Sequence, residues 1–543
     1  MRKMSIGILC LAFLPMLAYS QNNNGQLPSR TMTIEGIYDA DFTDADKIMP
    51  VPDKLRNKSV SGRPEYLSDA NPFMEYLRDG MDAPDSVYRS PRHYPALLKL
   101  GYGARGELDF LAGYRTGCGK CGELNLNASA VGWNAELEED WRSKLYDIAL
   151  NAGYAYDCEK FRLDVNGEFG YGYLNFRQVS GSVGKGSLGR NLMSGGLNAG
   201  FAPANAGPWV YSARVGWSVY TDDRLPWGYE CGIENKFRLD GKVGYCFSEA
   251  LSATADVSLK SMLYNCSPAR DKYDKYGNYT TFSVTPKVSY AVPGMSLTAG
   301  ADVSIRSLLA PTVRISPFLD FQYRISNSLK LYAAAKGGVD EYDMRYLHSF
   351  SPYWVSNSQI HDGYTAVDAS LGMVWNLSDH MELQLDGGYR KYFDKVFQMM
   401  YKGDVYGSYI KQSDAGLTHI GLSGKYLHSA RLLLHAAADY NNWHGCDAKL
   451  LLMLPEFNLC IGGGYLIIDR LTADLEYCYS RMTAYEGSRL PYASTLDIGL
   501  RYALLDRLDI ALKGSNLLDN RYYRFADYRN RGISVSLSAL YRF

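Results

Sequence analysis

Beyond residue 20 the chain has no apolar run of about 18 residues, so none of its helices would be long enough to cross a bilayer. Histidine is scarce, with 8 in 543 residues. His348, His361, His419, His435 and His444 stand in no nucleophile motif, and most fall in expected loops or strand ends, so no catalytic residues and no enzyme are expected. A formal net charge of -1 leaves no cationic excess for a nucleic acid partner. A paired metal motif is also missing. Cys118 and Cys121 form one CxxC in a glycine-rich turn, with no second CxxC to complete a zinc site. The expectation is a loop disulfide or two free thiols, with no metal and no cofactor. Of ten cysteines, Cys10 falls in the leader, and an odd, scattered remainder is not a disulfide framework. Repeats at solenoid periods are absent.

What is abundant is tyrosine and glycine, 45 and 52 residues, against 20 prolines. The mean hydropathy of -0.25 would suit a soluble protein. An export leader points elsewhere. Arg2 and Lys3 precede an apolar stretch over 6–17, and Ala18-Tyr19-Ser20 offers a small-residue cleavage site before Gln21. An exported, Tyr- and Gly-rich chain without helical periodicity suits a large β structure with aromatic girdles.

Period-two alternation runs from about residue 95 to the last residue. At the close, Ile533, Val535, Leu537, Ala539, Tyr541 and Phe543 share one face, and Ser534, Ser536, Ser538 and Arg542 the other; Leu540 breaks the pattern. Eleven such residues match a membrane-spanning strand. Phe282–Val292 turns at Pro293-Gly294 into Met295–Ile305, and Val367–Trp375 pairs with Met381–Tyr389. Val313–Ile325 turns at Ser326-Asn327-Ser328 into Leu329–Ala335. Pro286 and Pro317 conflict with these strands, since proline removes a ladder donor. Alternation alone would also fit a soluble sandwich. The length and continuity of the strands, and polar faces that mix both charges with Ser, Thr and Gly, favour a wet lumen inside a closed wall. Only a closed sheet pairs every backbone group in hydrocarbon. Asp302 with Arg306 reads as lumen lining.

Short turns recur at 157–159, 293–294, 326–328, 378–380, 428–429, 469–470 and 506–507. Longer segments lie at 177–189, 265–279, 340–361, 396–416, 483–490 and 520–531. Short turns belong in the periplasm and long loops outside. The expectation is all-β: a large antiparallel transmembrane β-barrel of about 20–22 strands over 95–543, with a short N-terminal arm. The arm, 21–94, reads as an extended periplasmic or lumenal segment with a helix near 71–78, preceded by a signal peptide over 1–20. Outer-membrane lipid is the expected surrounding.

The stretch Lys513-Gly-Ser-Asn-Leu-Leu-Asp-Asn-Arg-Tyr-Tyr523, then Gly532 and the ending Ser-Leu-Ser-Ala-Leu-Tyr-Arg-Phe543, resembles the last hairpin of TonB-dependent receptors. Thr33-Ile-Glu-Gly-Ile-Tyr38, Asp44-Ala-Asp-Lys-Ile48 and Pro50 are similar to plugless relatives with a short arm. The resemblance implies a barrel in the outer membrane of a Gram-negative cell that transports or binds a ligand. It leaves energy-coupled import open, because the 74 residues of 21–94 are fewer than a folded plug of the family has and carry no convincing TonB box. The alternative is a non-transporting barrel subunit that scaffolds an outer-membrane complex, with periplasmic or outer-membrane protein partners docked through the 21–94 arm. Tyr346, Phe350, Tyr353 and Trp354 are the ligand-binding candidates, as an external surface or as loop packing; Tyr401, Tyr406 and Tyr409 share that ambiguity.

Overall fold

The computed structural model describes residues 94–543, apart from 120, 139–140, 178–187, 205–206, 224–231, 266–275, 308–310, 356–358, 403–405, 430, 452–453, 483, 486–487, 490 and 526–527. The expected leader, arm and 71–78 helix lie outside the described residues.

Twenty-two strands form one antiparallel sheet, each paired with its neighbour in sequence. The sheet closes because the first strand, Ala96–Gly103, pairs on one side with Glu107–Cys118 and on the other with the last, Ser534–Arg542. The closed wall is the reason the polar backbone can sit in lipid: no edge remains unpaired.

Side-chain alternation sets what each face meets. In the last strand Val535 and Leu537 point outward, 45% and 57% exposed, while Ser534 is buried. Phe237, Leu239, Leu259, Leu371 and Ile420 do the same around the wall. An apolar exterior of this extent has no place in water, and the chain sits in the outer membrane. At the rim of short turns the rings of Tyr156, Phe161, Phe201 and Tyr211 follow one another about 6 Å apart, and Trp209, Tyr245 and Phe247 continue the girdle.

The two prolines do lie in strands, and the ladder explains how. Pro286 pairs in register with Ala255, while pairing to Met295–Ser307 skips Thr285 and Pro286 and resumes at Lys287 without a shift. Pro317 faces Ala301, and the pairing of its strand with Leu329–Asp340 begins only at Phe318. Each proline sits where one ladder is interrupted, so no sheet donor is lost.

One loop assignment is corrected. Most of 396–416 is strand, within Met381–Lys402 and Tyr406–Ser429. At 22 and 24 residues these are far longer than a bilayer needs, and they carry the wall well above the membrane. The alternation was hidden because a register shift between Tyr392 and Lys395, with Asp394 at φ 55°, breaks the period. Segments 483–490 and 520–531 each include a small hairpin, Ala484–Tyr485 with Ser488–Arg489 and Tyr523–Phe525 with Tyr528–Arg529.

The cysteines need a second correction. Cys460 and Cys478 form a disulfide between directly opposed positions of Pro455–Ile468 and Leu471–Met482. The signal was available: both lie nine residues from position 469, inside the turn that joins those strands. Cys118 and Cys121 are free thiols on the short-turn rim.

Candidate functional site

The site begins where Pro317 stops its ladder. Above that point the strand Leu329–Asp340 is released from its neighbour, and a register shift at Lys336/Gly338 bends its tip inward. Gly338 takes φ 147°, which favours glycine. The connection that follows, described over 341–355 and 359–362, therefore folds into the lumen beneath the outer rim, and this inward segment is the candidate gate.

Within it a short helix, α1 (Met344–Phe350), starts at Asp343, whose side chain accepts from Tyr346 N at 2.7 Å. Tyr342, Leu347, Phe350 and Trp354 pack with Ile360 on Val396 and Ile410 of the two tall strands. Tyr353 and Val355 join Trp141, Leu174, Phe176, Phe525 and Tyr528 on the opposite side. Tyr353 stacks on Tyr528 with ring centres 3.4 Å apart and planes 6° off parallel. These two apolar clusters are the lumen's core, and aromatic burial is their main stabilisation.

Backbone groups are paired as well. Val355 N donates to Ser408 O at 2.8 Å, Ser408 N donates to Tyr353 O at 3.0 Å, and the Ser351 and Ser408 hydroxyls touch. Gln412 brackets His361 through its N–H and C=O, and Gln359 does the same to Gly277.

Charge fastens the gate to the far wall. Arg190 and Asp222, both wholly buried, pair at 2.9 Å. Arg190 also donates to Trp354 O at 2.8 Å, and His348 Nε2 lies 3.2 Å from Asp222. Glu341 lies between Lys236, Arg238 (3.3 Å) and Lys260 (3.6 Å). Asp343 pairs with Lys236, Arg345 with Glu168, and Asp362 with Lys260.

Three titrating groups on the gate shift in a way that disfavours protons. Burial, then the Arg190 guanidinium, pushes His348 below its ordinary 6.5 despite Asp222. Burial and Arg306 lower His361 likewise. Burial would raise the Glu341 carboxyl, but Lys236, Lys260 and Arg238 overcome it and hold it well below its ordinary 4.5. In each case the undocked gate binds a proton that the docked gate refuses. These three groups favour undocking in acid, but Glu234 on the facing wall, pushed up to about 8 by burial and by Asp343, keeps its proton in the docked state and favours docking as pH falls from about 8 towards 4.5. The opposing signs leave acid undocking to the range below about 4.5, where Glu341 takes up its proton only when undocked. Pepsin cleavage within the described part of 341–362 should rise as pH falls from about 4.5 to about 3 in minutes-long digests corrected for enzyme activity. A gate equally protected across that span would contradict the assignment.

The sequence-derived candidates can now be placed. Phe350, Tyr353 and Trp354 are buried and Tyr346 partly so, all inside the gate's packing. Tyr406 carries Arg177 over its ring at 4.8 Å, Tyr409 is half-buried, and the Tyr401 side chain lies outside the described residues. His419 and His435 line the wall beside Asp386 (3.6 Å) and Glu476 (3.5 Å), and His444 stacks on Tyr389. Arg190, Asp222, Lys236, Lys260 and Glu341 carried no local signal. Only the unusual length of 340–361 hinted at an inserted loop.

No protein-family profile matches the chain, and no curated protein matches it in sequence. Solved structures do. The copper transporter OprC has a TM-score of 0.63 at 12% identity, over 84% of this chain and 82% of that one. The ferric enterobactin receptor PfeA of Pseudomonas aeruginosa, in complex with BCV-L6, gives 0.64 at 11% identity, over 82% and 81%. The siderophore receptor PirA of Acinetobacter baumannii gives 0.63 at 11%, over 84% and 81%. At these identities the likeness is one of fold, and the fold agrees with the TonB-dependent-receptor-like barrel expected from the closing hairpin.

Proposed function

We propose that the chain is a receptor-like outer-membrane barrel that binds a ligand at its outer mouth and passes it through the lumen when the 341–362 gate undocks. The observation that supports this is the construction of the gate. It is held by side-chain and backbone contacts and by no covalent cross-link, since 341–362 contains no cysteine, and it leaves the closed wall intact around it. A wall that only had to be stable would not need a long inward loop carrying a buried ion pair, since such pairs add little net stability. The fold neighbours, by their names a copper transporter, a ferric enterobactin receptor and a siderophore receptor, are consistent with transport in general and do not fix the ligand.

The scaffold reading differs in one measurable respect: a barrel that only holds partners is indifferent to whether its gate moves. Ser351→Cys with Ser408→Cys places two thiols where two hydroxyls touch. In planar bilayers with potassium chloride, the reduced variant should open intermittently under voltage and the oxidised one should stay shut. A tethered chain that conducts as the untethered one does would overturn the gate.

A further inference from the structure

We propose that the wall behind the gate is a binding site for a ligand bearing two or more oxyanion groups, a site that Glu341, Asp343 and Asp362 fill when the gate is docked. This rests on the gate reading above. The wall at this point is the strand Gly232–Cys246 with its neighbour Leu251–Asn265. Phe237, Leu239 and Leu259 point to lipid, so Lys236, Arg238 and Lys260 point to the lumen. Arg238 stands directly opposite Lys260 in the ladder, an arrangement that like charges disfavour.

The wall relieves this only in part. Asp240 takes Arg238 at 2.8 Å, and Glu234 is turned to the gate, accepting from Met344 N at 3.0 Å. Lys236 and Lys260 draw their carboxylates from the gate: Glu341 and Asp343 for the first, Glu341 and Asp362 for the second. The seat of Asp362 is the most complete. Its Oδ1 accepts from the Tyr279 hydroxyl at 3.1 Å and its Oδ2 from the Thr281 hydroxyl at 3.2 Å, with the Lys260 ammonium beside it. Two hydroxyls and an ammonium converging on one carboxylate are the donor set that a free carboxylate or phosphate requires. Asp362 is almost wholly buried there.

One oxyanion would occupy the Asp362 seat and a second the place of Glu341, between Lys236, Arg238 and Lys260. A ligand with two such groups therefore competes with the gate for the same donors, and its binding and gate undocking are one equilibrium. Polycarboxylates and polyphosphates share this chemistry.

Calorimetry on the full chain with citrate and with pyrophosphate tests the assignment. Glu341→Gln, Asp343→Asn and Asp362→Asn together remove the internal competitor, and this variant should bind at least one probe about tenfold or more tighter than the unaltered chain. Adding Lys236→Met and Lys260→Met should abolish the gain, while Lys236→Arg and Lys260→Arg in the same background should retain most of it. The arginine pair separates loss of charge from loss of fold. Binding of citrate alone marks a polycarboxylate site, and of pyrophosphate alone a phosphate site. Neither probe binding more tightly, or binding indifferent to the methionine changes, overturns the inference. The serine-to-cysteine tether reads gate movement independently, so the two claims fail separately.

Discussion

Replacing residues 341–362 by an Asn-Gly turn should convert the barrel into a continuously conducting channel. Asp340 and Gly363 are partners in the ladder, so a two-residue hairpin turn rejoins them without moving either strand. The deleted segment supplies the ring stack of Tyr353 on Tyr528 and the Trp354 contacts on Val396 and Ile410, which together fill the mouth. A wall of 22 strands encloses more space than its own side chains can fill. The strand ladders do not use the gate, so the variant should fold, insert and keep its heat-modifiable migration. Planar-bilayer recordings check the result: steady current where the intact chain is shut or flickers. A folded variant that remains shut would show the lumen to be closed elsewhere, and the gate would lose its assigned role.

Arg190→Met should weaken docking of the gate by roughly 3–5 kcal/mol, the cost of leaving one member of a buried pair uncompensated. Asp222 would then be a buried carboxylate with its main counter-ion gone, and Trp354 O would lose its guanidinium donor. A change of that size multiplies the undocked population by about a hundredfold or more. Asp222→Asn should act similarly by stranding Arg190. The double variant Arg190→Met with Asp222→Asn should fall well short of the sum, because neither charge is left alone. Tryptic cleavage at Arg345 and channel open probability report the same equilibrium by different means. If both single variants stay as protected and as closed as the parent, the pair is incidental to the gate.

How much of this was legible beforehand depends on the range of the interactions. Lipid-facing alternation is a local property, two residues in period, and it survives in any stretch long enough to span the membrane. That is why the hairpins around Pro293-Gly294 and Ser326-Asn327-Ser328, the closing strand and the approximate number of strands could be read directly. The tall strands were missed above the bilayer. There nothing forces one face to be apolar, and Val396 and Phe397 are adjacent and both buried.

The aromatic residues 346, 350, 353 and 354 stood out by type, but their setting did not follow from their neighbours in sequence. Tyr353 meets Tyr528 across 175 positions, and Arg190 meets Trp354 across 164. A closed, lipid-facing wall follows from the residue pattern alone, because backbone pairing and side-chain period leave few other solutions for it. That one loop turns inward, and that its carboxylates meet Lys236 and Lys260, emerges only in the folded barrel. Closing the sheet brings distant strands face to face across the lumen, and no local period encodes which of them will touch.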